Sequence, residues 1–180
     1  MGLERMPVWI LDDGPLNTLA TVVGSDDVSS WPKGRFKVAD ATWRSATGRR
    51  EDLLAARPSP FSVFSVDMGS DAAEVLYKQL RQPTKSDKNL AEHESIAWAL
   101  AECPEAVLVT RDKRAAFLAL AELGRGGAAH PSELWLQLRE TRLVTEEQFK
   151  ELCAETSRRE QSPVPLRCQN QSQGGTAGRC

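Results

Sequence analysis

Residues 7–16 read Pro-Val-Trp-Ile-Leu-Asp-Asp-Gly-Pro-Leu, a short apolar run that stops at two acids and a Gly-Pro pair. Such a run, bounded by turn-forming residues, is typical of a buried strand that ends in a sharp turn. Apolar residues then recur at helical spacing at Leu16, Leu19, Ala20 and Val23. The stretch therefore predicts a strand, an acid at its carboxyl end and a helix directly after it.

The same alternation of strand and helix continues along the chain. Further strands are predicted at 36–39, 61–66 and 106–109. Helices are predicted at 41–56, with a weak point at Gly48, and at 71–81, 90–102, 112–123, 131–140 and 145–155. Strands that alternate with helices favour an α/β fold, with three layers (α/β/α) around a mostly parallel central sheet.

One domain and a tail account for the length of 180 residues. The predicted domain covers residues 1–155 and includes the two C-terminal helices. Residues 156–180 are rich in Ser, Arg, Gln, Gly and Pro with almost no apolar anchor, which predicts a disordered tail. Residues 82–88 and 124–127 are predicted to be loops.

Composition excludes several classes of protein. The 23 basic and 25 acidic residues give a net charge of -2, which excludes a uniformly basic nucleic-acid binder but not a local basic patch. No apolar run approaches the ~18 residues of a membrane span, and the first residues lack the apolar core of a signal peptide. We therefore expect a cytoplasmic protein without a membrane partner.

The metal ligands available to this chain are mainly carboxylates. Its four cysteines form no C-x-x-C pair, and it has only two histidines, so neither a disulfide scaffold nor a structural zinc site is favoured. Carboxylate oxygens instead suit Mg²⁺ or Mn²⁺. Any metal in this protein should therefore be held by acids.

Several acids fall where open parallel sheets form their sites, outside the carboxyl ends of the strands. Asp12 follows the first strand, Asp112 follows the strand 106–109, and Glu92 and Glu94 lie in the first turn of the helix 90–102. A divalent ion would relieve the repulsion within such a cluster. Each acid also has a plainer interpretation, because aspartates cap helices and acids in a first turn complement the helix dipole.

Three segments resemble PIN domains. Residues 8–16 resemble the opening of that family, an apolar strand followed by Asp, any residue and Gly-Pro-Leu. Residues 92–101, Glu-His-Glu-Ser-Ile-Ala-Trp-Ala-Leu-Ala, are similar to its central acidic helix. Residues 107–114, Val-Leu-Val-Thr-Arg-Asp-Lys-Arg, resemble its late strand followed by Thr, any residue and Asp. Together the resemblance covers residues 7–140.

The resemblance implies an α/β/α nuclease that cleaves RNA with Mg²⁺ or Mn²⁺, often as the toxin of a VapC-type toxin–antitoxin pair. By position, Asp12, Glu92 and Asp112 would be the catalytic metal ligands. Glu94 is the alternative to Glu92, because two residues on a helix lie about 200° apart and would not both face one ion. Thr110 could hydrogen-bond a ligand or an RNA phosphate.

The chain departs from the PIN pattern on the helix after the second strand. The family usually carries a Glu there, whereas this chain has Ser45, or Arg44 if the register slips. Loss of that carboxylate would weaken metal binding or the alignment of the attacking water. The alternative function is therefore a catalytically impaired PIN-like module that binds or interacts. A fourth carboxylate near the cluster, with Asp13, Asp40 and Glu94 as candidates, would favour the nuclease.

Basic residues and the C-terminal helices suggest partners. Arg44, and Arg111, Lys113 and Arg114 next to the proposed metal site, are predicted to contact RNA phosphates, although a solvated charged face is the alternative. The helices 131–140 and 145–155 have apolar faces that could dock on the domain or on a second copy. The expected partners are thus RNA, an antitoxin protein and, through these helices, a homodimer.

Overall fold

The computed structural model describes residues 6–55, 59–66, 69–81 and 89–160, without the side chains of residues 159 and 160. The strands are β1 (Trp9–Leu11), β2 (Phe36–Ala39), β3 (Phe61–Phe64), β4 (Val107–Val109) and β5 (Ala128–Ala129). The helices are α1 (Asp13–Val22), α2 (Ser25–Val28), α3 (Asp40–Ser45), α4 (Arg49–Ala55), α5 (Asp71–Arg81), α6 (Leu90–Glu102), α7 (Lys113–Leu123), α8 (Pro131–Glu140) and α9 (Glu146–Glu160).

All five strands form one parallel sheet in the order β3-β2-β1-β4-β5. The central strand β1 pairs with β4 so that Leu11 lies opposite Val109. The predicted α/β class is confirmed, and the sheet is parallel throughout. Because parallel strands need crossover connections, helices lie on both faces of the sheet.

Alternate residues of β1 build the two cores. Trp9 and Leu11 pack with Leu16 of α1 and with residues of α8 and α9 on one face. Ile10 points to the other face, where it packs with residues of α6 and α7 such as Ile96. This alternation is the period of two expected of a strand, and it divides the molecule into the three predicted layers.

The apolar faces of α8 and α9 are used within the chain. Leu134, Trp135 and Phe149 are fully buried in the core that contains α1. A capping box opens α9, since Thr145 and Gln148 exchange side chain-to-backbone hydrogen bonds of 2.9 and 3.1 Å. These helices therefore dock on the domain itself, which is one of the two surfaces predicted for them.

The single helix expected over residues 41–56 is divided into α3 and α4. The break falls at Gly48, whose φ of 58° lies in the left-handed region that side chains disfavour. The shortest helix, α2, and the shortest strand, β5, were not predicted. A two-residue strand such as Ala128–Ala129 is too short to show a period, so only its pairing with β4 defines it.

The last five residues of α9, 156–160, fall within the predicted tail. Thr156 is buried, accepts a 2.9 Å hydrogen bond from Trp135 Nε1 and donates one of 2.8 Å to the Leu152 carbonyl. Burial of its methyl group and satisfaction of its hydroxyl explain why a polar stretch still joins the core. The predicted loop 82–88 and residues 161–180 of the predicted tail lie outside the described residues.

Among the helices in the described part of the chain, none combines the length and the apolar character that crossing a bilayer requires. The longest is α9, with 15 residues, and its surface carries many charged groups.

Thr156→Val should destabilise the protein, because it leaves the buried Trp135 N–H without an acceptor. We expect a loss of about 1–3 kcal/mol in the free energy of unfolding, measured by urea denaturation. Thr47→Val makes the same chemical change at an exposed site and should cost less than about 0.5 kcal/mol. Equal stability of the two variants would contradict the role given to the Trp135–Thr156 hydrogen bond.

Candidate active site

The order of the strands in the sheet changes direction at β1, because β2 and β3 lie on one side of it and β4 and β5 lie on the other. After β1 the chain enters α1 on one face of the sheet, and after β4 it enters α7 on the other. Such a switch point leaves a crevice outside the carboxyl ends of the two strands, where ligands of open α/β sheets bind. Asp12 and Thr110 are the first residues after β1 and β4, so both stand at this crevice.

Thr110 connects the two aspartates. Its hydroxyl donates a 2.6 Å hydrogen bond to Asp12 Oδ2 and accepts one of 3.1 Å from the Asp112 backbone N–H. The Thr110 side chain is 2% exposed, so these bonds are shielded from water. Asp12 Oδ1 also accepts a 2.7 Å bond from the Asp13 N–H. The Asp12 carboxylate is therefore held in one orientation at the crevice.

Both aspartates cap helices, as their plainer interpretation predicted. Asp12 caps α1, and Asp112 Oδ1 caps α7 by accepting from the N–H groups of Arg114 and Ala115 at 2.6 and 3.2 Å. Capping does not exclude metal binding, because each carboxylate oxygen has further lone pairs. Instead, the caps fix the backbone from which each carboxylate projects.

Glu92 is electrostatically coupled to the two aspartates. It is half-buried in the first turn of α6, and burial is the main cause that raises its pKa, with further increases from the charges of Asp12 and Asp112. Burial likewise raises the pKa of Asp12, against the lowering effect of its hydrogen bond from Thr110. The negative charge of Glu92 thus interacts with those of both aspartates and repels them.

Glu94 lies elsewhere, although it is only two residues from Glu92. It is 5% exposed, and its oxygens accept hydrogen bonds from the backbone N–H groups of Ala41 at 3.1 Å and Val66 at 3.3 Å. Burial raises its pKa, and the nearby negative charge of Asp40 raises it further. Glu94 therefore joins the segments that follow β2 and β3, and the predicted metal role for it has no support in its contacts.

A basic side chain lies near Ser45, the position where the PIN pattern usually has a Glu. Ser45, at the end of α3, is exposed and donates a 3.0 Å hydrogen bond to the Thr42 carbonyl. Arg50 of α4 donates at 3.2 Å to the Ser45 carbonyl and forms an ion pair with Asp13. Sequence reasoning did not identify this pair, since 37 positions separate the two partners.

The remaining candidate for a fourth carboxylate, Asp40, is also paired with another residue. Asp40 forms a 2.7 Å ion pair with Arg44, which is one of the predicted RNA contacts. Within the ranges that the structure describes, no group of three or more His, Cys, Asp or Glu side chains is placed so that it could hold one metal ion. Binding of one ion by Asp12, Glu92 and Asp112 would thus require these side chains to move closer together.

The other predicted RNA contacts, Arg111, Lys113 and Arg114, are exposed and flank Asp112. Lys113 and Arg114 open α7, and Arg111 directly precedes its capping residue Asp112. Three cationic residues are thus adjacent in the chain to one of the two aspartates at the crevice.

The chain was also compared with known proteins. No family model, curated protein sequence or solved structure matches it. The resemblance to PIN domains accordingly rests on the three sequence motifs.

Asp12→Asn should gain melting temperature relative to the wild type as the pH of metal-free buffer rises from acidic to neutral. The substitution removes a half-buried negative charge beside Glu92 and Asp112, and Asn is an equally good helix cap. It also removes the oxygen that accepts from Thr110, but that cost does not follow the ionisation of Asp12. Because the folded-state pKa of Asp12 is raised, its ionisation penalty is full above that pKa and fades as the pH falls toward the ordinary value of 3.8. The difference in melting temperature between the variant and the wild type, measured by thermal unfolding, should therefore move in favour of the variant from acidic to neutral pH.

Glu122→Gln is the matched control, since it neutralises an exposed acid on α7 away from the crevice. This control should change the melting temperature little at any pH. A difference in melting temperature between Asp12→Asn and the wild type that is the same at neutral and acidic pH would contradict the proposed repulsion.

Proposed function

We propose that this protein is a PIN-like, divalent-metal-dependent ribonuclease that hydrolyses phosphodiester bonds of RNA. The main support is the arrangement at the switch point. Thr110 links the carboxylate of Asp12 to the backbone of Asp112, and both aspartates interact with the charge of Glu92. This arrangement joins the three motifs of the PIN resemblance in one crevice.

The donor set fits Mg²⁺ or Mn²⁺ in chemistry. Asp12, Glu92 and Asp112 would hold the ion, because hard carboxylate oxygens suit these cations and the mutual repulsion of the acids favours a positive charge between them. When bound, the ion supplies Lewis-acid activation of a water molecule and of the phosphodiester. A requirement for divalent metal follows, since activation of the water depends on the ion.

The chain's own residues have distinct roles in this proposal. Thr110 is a positioning residue, because its hydroxyl fixes the Asp12 carboxylate. Arg111, Lys113 and Arg114 bind RNA phosphates beside Asp112. Arg44 is a weaker candidate for this role, since its guanidinium is paired with Asp40. The cytoplasmic location, the toxin role, an antitoxin partner and a homodimer remain predictions from the sequence.

A second candidate is a PIN-like binding module without catalysis. The observation that favours it is the environment of Ser45, where Arg50 pairs with Asp13 and no fourth carboxylate joins the cluster in the described part of the chain. An RNA-binding role would then use the cations near Asp112 without hydrolysis. Cleavage assays separate the two candidates.

Purified protein should cleave a labelled single-stranded RNA with Mn²⁺ or Mg²⁺ and should be inactive in EDTA. Asp12→Asn should reduce cleavage to background without unfolding the protein, because it removes the most buried of the three ligands. Thr110→Val should lower activity by about 10–100-fold, the usual effect of losing a partner that orients a metal ligand. Gel electrophoresis of the RNA products measures each effect.

Glu122→Gln again serves as control and should retain full activity, which excludes a general effect of lost negative charge. Cleavage that persists in Asp12→Asn would contradict the assignment of the site. Absence of cleavage by folded wild-type protein in every metal would instead favour the binding module.

A further inference from the structure

Helix α7 begins at the crevice and exposes an aromatic side chain. Phe117 is 76% exposed, more than any other large apolar residue in the described part of the chain, and Leu120 on the same helix is 44% exposed. Ala115 and Ala119 face the core instead. Because water contact with a large apolar surface costs free energy, a cluster of this kind next to a candidate active site suggests binding of a ligand.

The exposed aromatic lies on a cationic face. At 100° per residue, Lys113 and Arg114 lie about 40° and 60° around the helix from Phe117, whereas Glu122 lies about 140° away. Neither Lys113 nor Arg114 forms an ion pair with any residue that the structure describes. We call Lys113, Arg114, Phe117 and Leu120 the α7 strip. It offers positive charge and a flat apolar ring within about one helical turn.

We propose that the α7 strip binds single-stranded RNA, with a base stacked on Phe117 and adjacent phosphates paired with Lys113 and Arg114. The choice of RNA rests on the proposed function, but the binding chemistry is that of single-stranded nucleic acid in general. Charge complementarity supports this occupant, because one ligand then satisfies both the cations and the aromatic face. A duplex would not, since its bases are already stacked on one another.

The position of the strip defines a path for the RNA. The strip begins at the residue after Asp112, and Asp112 shares a hydrogen-bonded connection with Asp12 through Thr110. The strip therefore runs from the crevice along α7, and RNA bound along it leads toward the acids. The strip would act as a binding subsite that selects unpaired RNA, and the acids would act on the bond beside it.

Fluorescence anisotropy with the full-length protein in EDTA tests binding apart from cleavage. The probe is a labelled oligoadenylate of about 12 nucleotides, within the usual range for a single-strand site. Phe117→Ala should raise the Kd roughly tenfold through loss of stacking, whereas Phe117→Tyr should restore affinity. Val75→Ala, a truncation of an exposed apolar residue on α5, is the matched control and should leave the Kd unchanged.

The salt dependence of RNA binding tests the role of the two cations separately. Replacement of both Lys113 and Arg114 by Ala should reduce the slope of log affinity against log salt by about 1.4, or about 0.7 for each lost phosphate contact. An oligoadenylate paired in a duplex should bind weakly, with no difference between Phe117→Ala and the wild type.

Three results would overturn the proposal. The first is an unchanged Kd in Phe117→Ala, and the second is no binding of the probe by folded wild-type protein. The third is a loss of self-association or of binding to an acidic peptide in Phe117→Ala without an effect on RNA, which would identify the strip as a protein interface. Metal-dependent cleavage together with normal RNA binding by Phe117→Ala would contradict the RNA-binding role of the α7 strip and support the ribonuclease function. RNA binding that depends on Phe117, without cleavage, would support the role of the α7 strip and contradict the ribonuclease function.

Discussion

The hydrogen bond from the Thr110 hydroxyl to Asp12 Oδ2 holds the centre of the candidate site together. It joins the first residues after β1 and β4, the two strands between which the sheet changes its direction of winding. The parallel pairing of Leu11 with Val109 brings these residues level with each other. Thr110 also accepts from the Asp112 N–H, so one buried hydroxyl fixes two acids that are 100 positions apart in the chain.

Repulsion is the energetic consequence of this arrangement. Burial and the neighbouring charges raise the pKa values of Asp12 and Glu92, so ionisation of these groups at neutral pH opposes folding. The two helix caps and the Thr110 hydrogen bond offset part of that cost. A cluster that is unfavourable when empty and favourable with a cation is a common compromise at functional sites. The Glu94 carboxylate differs, because it accepts hydrogen bonds from two backbone N–H groups.

Much of the fold and part of the site followed from the sequence. The apolar run before Asp12, the strand before Thr110 and the helical period after Leu90 predicted the α/β class, and their order placed Asp12, Glu92 and Asp112 near one another. The ion pair of Arg50 with Asp13 and the hydrogen bonds of Glu94 depend on tertiary contacts without a local pattern. Phe117 was missed because the sequence alone does not show which face of α7 the sheet covers.

The central claim is that Asp12, Glu92 and Asp112 together hold a divalent cation at the switch point. The most direct test is an anomalous difference map from crystals of the protein grown with Mn²⁺. We predict a peak in the crevice, with carboxylate oxygens of all three residues near the ~2.1–2.2 Å expected for oxygen ligands of small divalent cations. A crevice without a peak at saturating Mn²⁺, or a peak bound only by other residues, would contradict the claim.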